Sequence, residues 1–435
     1  MKAVILGAGE SGLGAAILAQ QKGYDVFVSD FGNIKENFQK ELQQHYIPFE
    51  QNKHTSESIL DADCIIKSPG IPDTAHIVQL ALNNNIPVIS EIDFAAKFFN
   101  GKIIAITGSN GKTTTTNLTY HLLHTAGLSV GIAGNVGISF ARLIASHALH
   151  PDFFVLELSS FQLDNCYELR PYIAVLLNIT PDHMDRYDYD LDKYIASKFR
   201  IMQNQGEGDV FIYNAMDENI NAFLKNKHAA MKRIAVSDKF FDNSTIRTPK
   251  DLYSLEHSKL KGPHNAFNAA CALLVAEELG LQGEVLQIAL DTFVNAPHRL
   301  ELVATIDGVD FINDSKATNV DSLYYALLSM DKATVLILGG IDKGNDYERI
   351  IPLVKQKVKA IICLGVDNEK LLATFSPVVP VVEQTRQMQE AIRMARAYAN
   401  EAMAVLLSPA CSSFDLFENY EDRGNQFREQ VLRLK

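Results

Sequence analysis

The sequence predicts an α/β protein of three domains, on three observations. Short apolar runs alternate with helical patterns along the whole chain, the pattern of parallel strands covered by helices. Two of these runs open directly into a glycine-rich turn and then a helix, at Gly7–Gly12 and Gly108–Gly111. The 435 residues exceed what one core holds, at roughly 100–200 residues per domain. With 47% hydrophobic and 21% charged residues, the composition excludes global disorder.

Taken in order, Lys2–Leu6 reads as a strand, Ser11–Lys22 as a helix stopped by Gly23, and Asp25–Ser29 as a second strand. Cys64–Lys67 and Pro87–Ile89 are further short strands, and a helical stretch near Glu91–Phe99 leads to Asn100-Gly101. The pattern restarts with strand Lys102–Thr107 and a helix over Lys112–Thr125. Strands follow at Phe153–Glu157, Ile173–Asn178 and Asp209–Tyr213, and helix Asn265–Leu279 closes the unit. The last unit begins near Asn295-Ala296-Pro297, with strands at Val309–Asn313, Thr334–Leu338, Ala360–Leu364, Val378–Val382 and Ala404–Leu407. The expected domains are 1–92, 93–296 and 297–435.

Lys plus Arg total 40 against 52 Asp plus Glu, a net charge of −12 that argues against nonspecific binding to nucleic acid or an acidic membrane. No run of about 18 apolar residues predicts a membrane span. Glycines, Glu10 and Ser11 break the apolar N-terminal run, so it is read as a strand entering a turn and not a signal peptide. The five cysteines are scattered without a C-x-x-C pair, which predicts free thiols in a reducing compartment.

Gly7-Ala8-Gly9-Glu10-Ser11-Gly12 lies between a strand and a helix, where backbone N–H groups at the helix start can face a diphosphate. Asp30, at the end of the next strand, stands where a carboxylate can bond a ribose hydroxyl. Gly108-Ser109-Asn110-Gly111-Lys112-Thr113-Thr114 is a shortened phosphate loop, with Ile106 where the usual spacing has its first glycine. Its N–H groups can cradle phosphates, Lys112 can reach the terminal phosphates, and the Thr113 hydroxyl can bind Mg²⁺. Glu157 ends an apolar strand and is either a Mg²⁺ ligand or a helix cap. His183, in Asp182-His183-Met184-Asp185-Arg186, is a metal ligand, an acid–base group or a structural histidine. Lys198 alone reads as a helix-surface cation. In the last unit, Asp314–Asn319, Gly339–Gly344 and Ser408–Asp415 each follow a strand, and ligands in open α/β sheets bind at such carboxyl ends.

Together these residues resemble the Mur ligase family, ATP-dependent amide-forming enzymes of peptidoglycan precursor synthesis. The resemblance runs in order along essentially the whole chain: G-S-N-G-K-T-T at 108–114, H-N-A-F-N at 264–268, H-R at 298–299 and D-S-K-A-T-N at 314–319. S-P-G at 68–70, E-L-S-S-F-Q-L at 157–163, D-H-M-D-R at 182–186 and S-P-A-C-S-S-F-D at 408–415 are most similar to the members that use D-glutamate. The resemblance implies a Rossmann-like N-terminal domain, a central P-loop mononucleotide-binding domain and a Rossmann-like C-terminal domain. It implies that ATP phosphorylates the carboxylate of UDP-N-acetylmuramoyl-L-alanine and that D-glutamate attacks the acyl phosphate. It further implies a cytoplasmic, monomeric enzyme serving cell-wall synthesis, and so cell shape and division.

By resemblance, Lys112, Glu157, His183 and Lys198 are catalytic, and Thr113, Glu157, His183 and Lys198, the last as a carbamate, hold Mg²⁺. Gly108, Ser109, Asn110, Gly111, Lys112, Thr113, Thr114, Asn265, Asn268, Arg299, Asp314 and Lys316 match ATP-contacting positions. Gly9, Glu10, Ser11, Asp30, Gly70, Asn135 and His183 match contacts to the UDP substrate. Thr318, Lys343, Ser413 and Tyr420 match positions that receive D-glutamate, with Tyr420 where Phe is common. Phe31 and Gly32 depart from the pattern, since the family often has a hydroxyl and an Arg there. An NAD-dependent oxidoreductase would account for the first glycine-rich turn but leaves the phosphate loop, Glu157 and the last domain unexplained. A noncatalytic nucleotide-binding regulator would carry the same glycine-rich turns but release no ADP with any amino acid. Closer in chemistry are a Mur-type ligase for another amino acid and a folylpolyglutamate synthase-like enzyme, and the N-terminal nucleotide domain speaks against the latter.

Overall fold

In the computed structural model, described for all residues except 147–150, 226, 228, 229, 243 and 435, three sheets carry the chain. The first is all parallel, in the order β3-β2-β1-β4-β5, with β1 Lys2–Leu6, β2 Asp25–Ser29, β3 Phe49–Glu50, β4 Cys64–Lys67 and β5 Val88–Ser90. The second, also parallel, runs β11-β10-β9-β6-β8-β7, with β6 Lys102–Thr107, β7 Val130–Gly134, β8 Phe153–Glu157, β9 Ile173–Leu176, β10 Val210–Asn214 and β11 Lys232–Val236. A short antiparallel hairpin, β12 Thr245–Arg247 and β13 Leu252–Ser254, follows. The third sheet runs β14-β15-β19-β16-β17-β18, with β14 Glu301–Ile306, β15 Val309–Asn313, β16 Thr334–Leu338, β17 Val358–Leu364, β18 Val382–Thr385 and β19 Ala404–Leu407. Only its edge pair β14–β15 is antiparallel.

The chain forms two compact units. Met1–Glu256 with Phe267–Phe293 holds the first two sheets and the hairpin, and His257–Ala266 with Val294–Lys435 holds the third sheet. The expected boundary at 92/93 falls between β5 and β6, within the first unit. Central strands such as β6, β8 and β16 are apolar on both faces because helices cover both sides of a parallel sheet. Among the described residues no helix is long and apolar enough to cross a membrane. All five cysteines are free thiols.

Two of the expected elements need correcting, and several were missed. The strand expected over Val378–Val382 forms at Val382–Thr385 instead. The N–H groups of Val378 and Val379 both turn back to the Phe375 carbonyl, and Pro380 has no N–H to give a ladder. The strand expected to reach Asn178 stops at Leu176; the Leu177 N–H makes a last ladder bond to Thr107 O, and the Asn178 side chain turns to the phosphate loop. Strand β7 went unseen because glycines at 131 and 134 hide its pattern, and β3, β11 and β14 are short or partly exposed.

Each parallel sheet places its polar loops at the carboxyl ends of its strands. In the first sheet the chain leaves β1 to opposite sides, toward β2 and toward β4, so the turn after β1 and the loop after β4 meet at the point of reversal. Helix Glu10–Gln21 packs so closely there that a Cβ on Gly12 would lie 1.8 Å from the Gly7 carbonyl oxygen. Gly12→Ala is expected to destabilise the chain by about 3 kcal/mol, read as a lowered denaturant midpoint. An unchanged midpoint would show that the turn can open at no cost.

Candidate active site

At the carboxyl edge of the first sheet, Asp30 does something the sequence did not suggest. Its Oδ2 accepts the Ala8 N–H at 2.7 Å and its Oδ1 accepts the Gly32 N–H at 2.8 Å, so the carboxylate holds the glycine-rich turn closed. Glu10, at the start of the helix, is drawn to Arg142, whose Nε donates to Oε1 at 2.9 Å and which also pairs with Glu41. Gly9 caps the helix without a side chain to compete for its N–H groups. Phe31 is 74% exposed, with His54 as an aromatic neighbour at 5.7 Å. The loop after β4 is bonded to this edge through the Ser68 N–H, which donates to Leu6 O at 2.9 Å.

In the second sheet the phosphate loop joins β6 to helix Lys112–Thr125 and is pinned from three sides. Asn178 Oδ1 accepts the Asn110 N–H at 2.8 Å, and its Nδ2 donates back to Asn110 O at 3.0 Å. The Ser109 hydroxyl donates to Thr180 O at 2.8 Å and lies 3.0 Å from the Tyr194 hydroxyl. Gly111 takes a left-handed conformation, φ 84°, and a Cβ there would come 2.5 Å from Asn268 Oδ1. The structure thus brings Asn268, which matches a nucleotide-contacting position of the family, against the phosphate loop. Thr113 and Thr114 are buried just inside the helix.

Two amines meet at the loop. Lys112 Nζ donates to Gly108 O at 2.7 Å and to Ser109 O at 2.9 Å. Lys198, on helix Leu191–Phe199, donates to the same Gly108 O at 2.9 Å and stands 4.5 Å from the Tyr194 ring. Lys198 is 1% exposed, so the surface-cation reading of its helix position is wrong. Burial, and then the charge of Lys112, hold its amine well below the ordinary ammonium value. Glu157, also 1% exposed, ends β8; Oε1 accepts from Asn135 Nδ2 at 2.7 Å, while Oε2 is buried without a hydrogen-bond partner among the described residues. His183 sits in a left-handed conformation beside Asp182, its ring 4.9 Å from Phe161.

The C-terminal unit gathers its own loops. The Ala410 N–H donates to Ala317 O at 2.9 Å, Gly339 N–H to Pro409 O at 3.0 Å, and Ile341 N–H to Ser412 O at 2.9 Å. The three strand-end loops therefore form one edge. Asp314 accepts from the Ser408 hydroxyl at 2.9 Å and the Leu300 N–H at 3.2 Å, and burial raises its pKa to about 7. Lys316 donates its backbone N–H to His298 O and holds its amine 5.0 Å from the Tyr420 ring. Thr318 is half-buried, Ser413 buried and Lys343 exposed. Asn265 donates to Lys261 O, and its neighbour His264 is shifted by burial and by the charge of Arg299. The sequence missed several organising side chains: Asn178, Tyr194, Lys67 and Arg186. Arg186 lay inside the quoted D-H-M-D-R run; the others carry no motif of their own.

Residues 2–77 match the model of the MurD N-terminal domain, 106–276 that of the Mur ligase middle domain, and 298–411 that of the Mur ligase glutamate ligase domain. The chain belongs to the Mur ligase family. It is 50% identical over 444 residues to the UDP-N-acetylmuramoylalanine–D-glutamate ligase of Christiangramia forsetii, covering 100% of this chain and 99% of that one. The same-named protein of Porphyromonas gingivalis is 49% identical over 445 residues, covering 99% and 98%. Among solved structures, the UDP-N-acetylmuramate–alanine ligase MurC of Thermotoga maritima superposes with a TM-score of 0.64 at 17% identity over 100% of each chain. MurF of the same organism, in complex with ADP, gives 0.64 at 15% identity over 94% and 96%. The three-domain Mur ligase architecture is thus the fold of this chain, and the Mur ligase is an ATP-dependent amide-bond-forming enzyme.

His264 makes the site's surroundings acid-sensitive. Its pKa falls from 6.5 to about 4 because a buried imidazole loses solvation on charging. Below pH 6.5 the unfolded chain takes up a proton that the folded chain does not, so stability is lost as pH falls from 6.5 to 4. The loss reaches about 3 kcal/mol at pH 4. His264→Phe is expected to flatten this limb, so that urea midpoints of wild type and variant diverge progressively between pH 7 and 4. Parallel curves would contradict the assignment.

Proposed function

We propose that this Mur ligase joins D-glutamate to UDP-N-acetylmuramoyl-L-alanine, with ATP hydrolysed to ADP and phosphate. The observation that carries the reading is full-length identity near 50% to relatives bearing that activity in their names, with the MurD-type N-terminal domain included. A free carboxylate is a poor electrophile with a poor leaving group. Transfer of the γ-phosphoryl group to it makes an acyl phosphate. The D-glutamate amine then adds to the acyl carbon, loses a proton, and the tetrahedral adduct expels phosphate to leave the amide.

The residues divide this work by location. Gly108–Thr114 present N–H groups and the Lys112 amine to the ATP phosphates, with Asn268 against the loop. Asn265, Arg299, Asp314 and Lys316 serve the nucleotide, and Thr318, Lys343, Ser413 and Tyr420 receive D-glutamate. Gly9, Ser11, Gly70 and Asn135 take the UDP substrate, and Glu10, held by Arg142, keeps its charge turned from the diphosphate. Asp30 acts on that substrate by shaping the turn.

The residues present fit Mg²⁺. Glu157 offers a buried carboxylate oxygen without a hydrogen-bond partner among the described residues, and the Thr113 hydroxyl and His183 supply further donors. Lys198 fits as a carbamate: an amine whose charged form burial disfavours adds CO₂ at nitrogen through its unprotonated form, releases a proton, and becomes an anion beside the Lys112 charge. Bound there, Mg²⁺ would neutralise phosphate oxygens during transfer.

The direct test is phosphate release with an amino-acid panel. Turnover is expected only with the muramoyl nucleotide and D-glutamate together; equal rates with L-glutamate or a diamino acid would overturn the specificity. Lys112→Ala should abolish turnover. Lys198→Ala should lose at least 100-fold, roughly the scale of one electrostatic group, and short-chain carboxylates should partly restore it. Wild-type rates in that variant would remove the carbamate.

A further inference from the structure

The loop Ser68-Pro69-Gly70-Ile71 is held by two cations to which the motifs give no role, Arg186 and Lys67. Arg186 Nη2 donates to Pro69 O at 3.1 Å and to Ile71 O at 3.0 Å, and its Nη1 donates to Gly70 O at 3.3 Å. One guanidinium thus gathers three successive carbonyls. Lys67, 1% exposed, donates from Nζ to the same Ile71 O at 2.6 Å and pairs with Asp73 at 3.2 Å.

Arg186 is equally tied to the His183 loop. Its backbone N–H donates to His183 O at 3.0 Å, and its guanidinium lies 4.4 Å from the Phe161 ring, against which the His183 ring packs edge-on. Gly70 itself is unexplained by the protein: its φ is not positive, and a Cβ there would meet nothing within 4 Å. A glycine with neither conformational nor packing need, on a loop fixed by Arg186 and Lys67, leaves its backbone open to close approach by a ligand.

We propose that Arg186 is a positioning residue, which presets the 68–71 loop for the sugar nucleotide and couples that loop to the one carrying His183. Lys67 holds the same loop through Ile71 O. The inference rests on the muramoyl nucleotide being the substrate. Arg suits the task better than Lys, because its fixed planar fork reaches the three carbonyls from two nitrogens while an ammonium on a flexible stem must reach all three from one point.

The test uses the full-length enzyme with Arg186→Ala, Arg186→Lys and Lys67→Met. Calorimetric titration of UDP-N-acetylmuramoyl-L-alanine without ATP should show binding weakened at least tenfold in Arg186→Ala and less in Arg186→Lys. KM for that substrate should rise in step, while KM for ATP and for D-glutamate stay within twofold. Methylguanidinium should recover part of the affinity of Arg186→Ala. Lys67→Met should repeat the pattern, which keeps the test open if Arg186→Ala fails to fold. Unchanged muramoyl-nucleotide affinity in the Arg186 variants, with a wild type that binds and turns over, overturns this inference alone. So does an equal rise of all three KM values alongside a fallen melting temperature. A wild type that does not bind the muramoyl nucleotide overturns the substrate reading and this inference with it.

Discussion

One carbonyl oxygen, that of Gly108, accepts hydrogen bonds from two lysine amines, and much of the central sheet is arranged around that fact. Two unit charges about 4 Å apart repel by roughly 4 kcal/mol at an effective dielectric near 20. A site that buries Lys198 beside Lys112 therefore cannot keep both as ammonium ions cheaply, and burial, then the Lys112 charge, holds the Lys198 amine well below the ordinary ammonium value. The phosphate loop must be rigid for this to hold. Asn178, Thr180, Tyr194 and Asn268 supply the rigidity, each from a different part of the chain.

The same logic resolves the acidic balance. A net charge of −12 says little about a site whose cations are individually placed. Arg142 is bound by Glu10 and Glu41 beside the first glycine-rich turn, while Lys67 and Arg186 are spent on backbone carbonyls. Carboxylates here serve as struts: Asp30 and Asp314 both bond backbone N–H groups. Asp314 is buried deeply enough to titrate near neutrality. Local desolvation and fixed donors, not net charge, govern what such loops can hold.

Much of the fold was legible. The strands at Lys2–Leu6, Asp25–Ser29, Lys102–Thr107, Phe153–Glu157 and Thr334–Leu338 stand where the apolar runs put them, because doubly covered parallel strands read as continuous apolar segments. Strands that are glycine-bearing, short or at sheet edges, such as Val130–Gly134 and Glu301–Ile306, carry no such signal. The glycine-rich turns and the strand-end loops were equally legible, since strand–turn–helix order is local.

What the sequence by itself determined was local: which segments are strands, where the glycine-rich turns lie, and, through its ordered motifs, the family. Tertiary structure decided what each polar side chain faces. Lys198 looks like any helix lysine until helix Leu191–Phe199 packs it under the phosphate loop. Asp30 reads from the sequence as a ribose ligand, and only the fold shows that its oxygens also hold the Ala8 and Gly32 N–H groups. Arg186 gains a task only because the 68–71 loop, over a hundred residues earlier in the chain, lies against it. Burial and hydrogen-bond partnership depend on groups distant in sequence, and no local pattern encodes them.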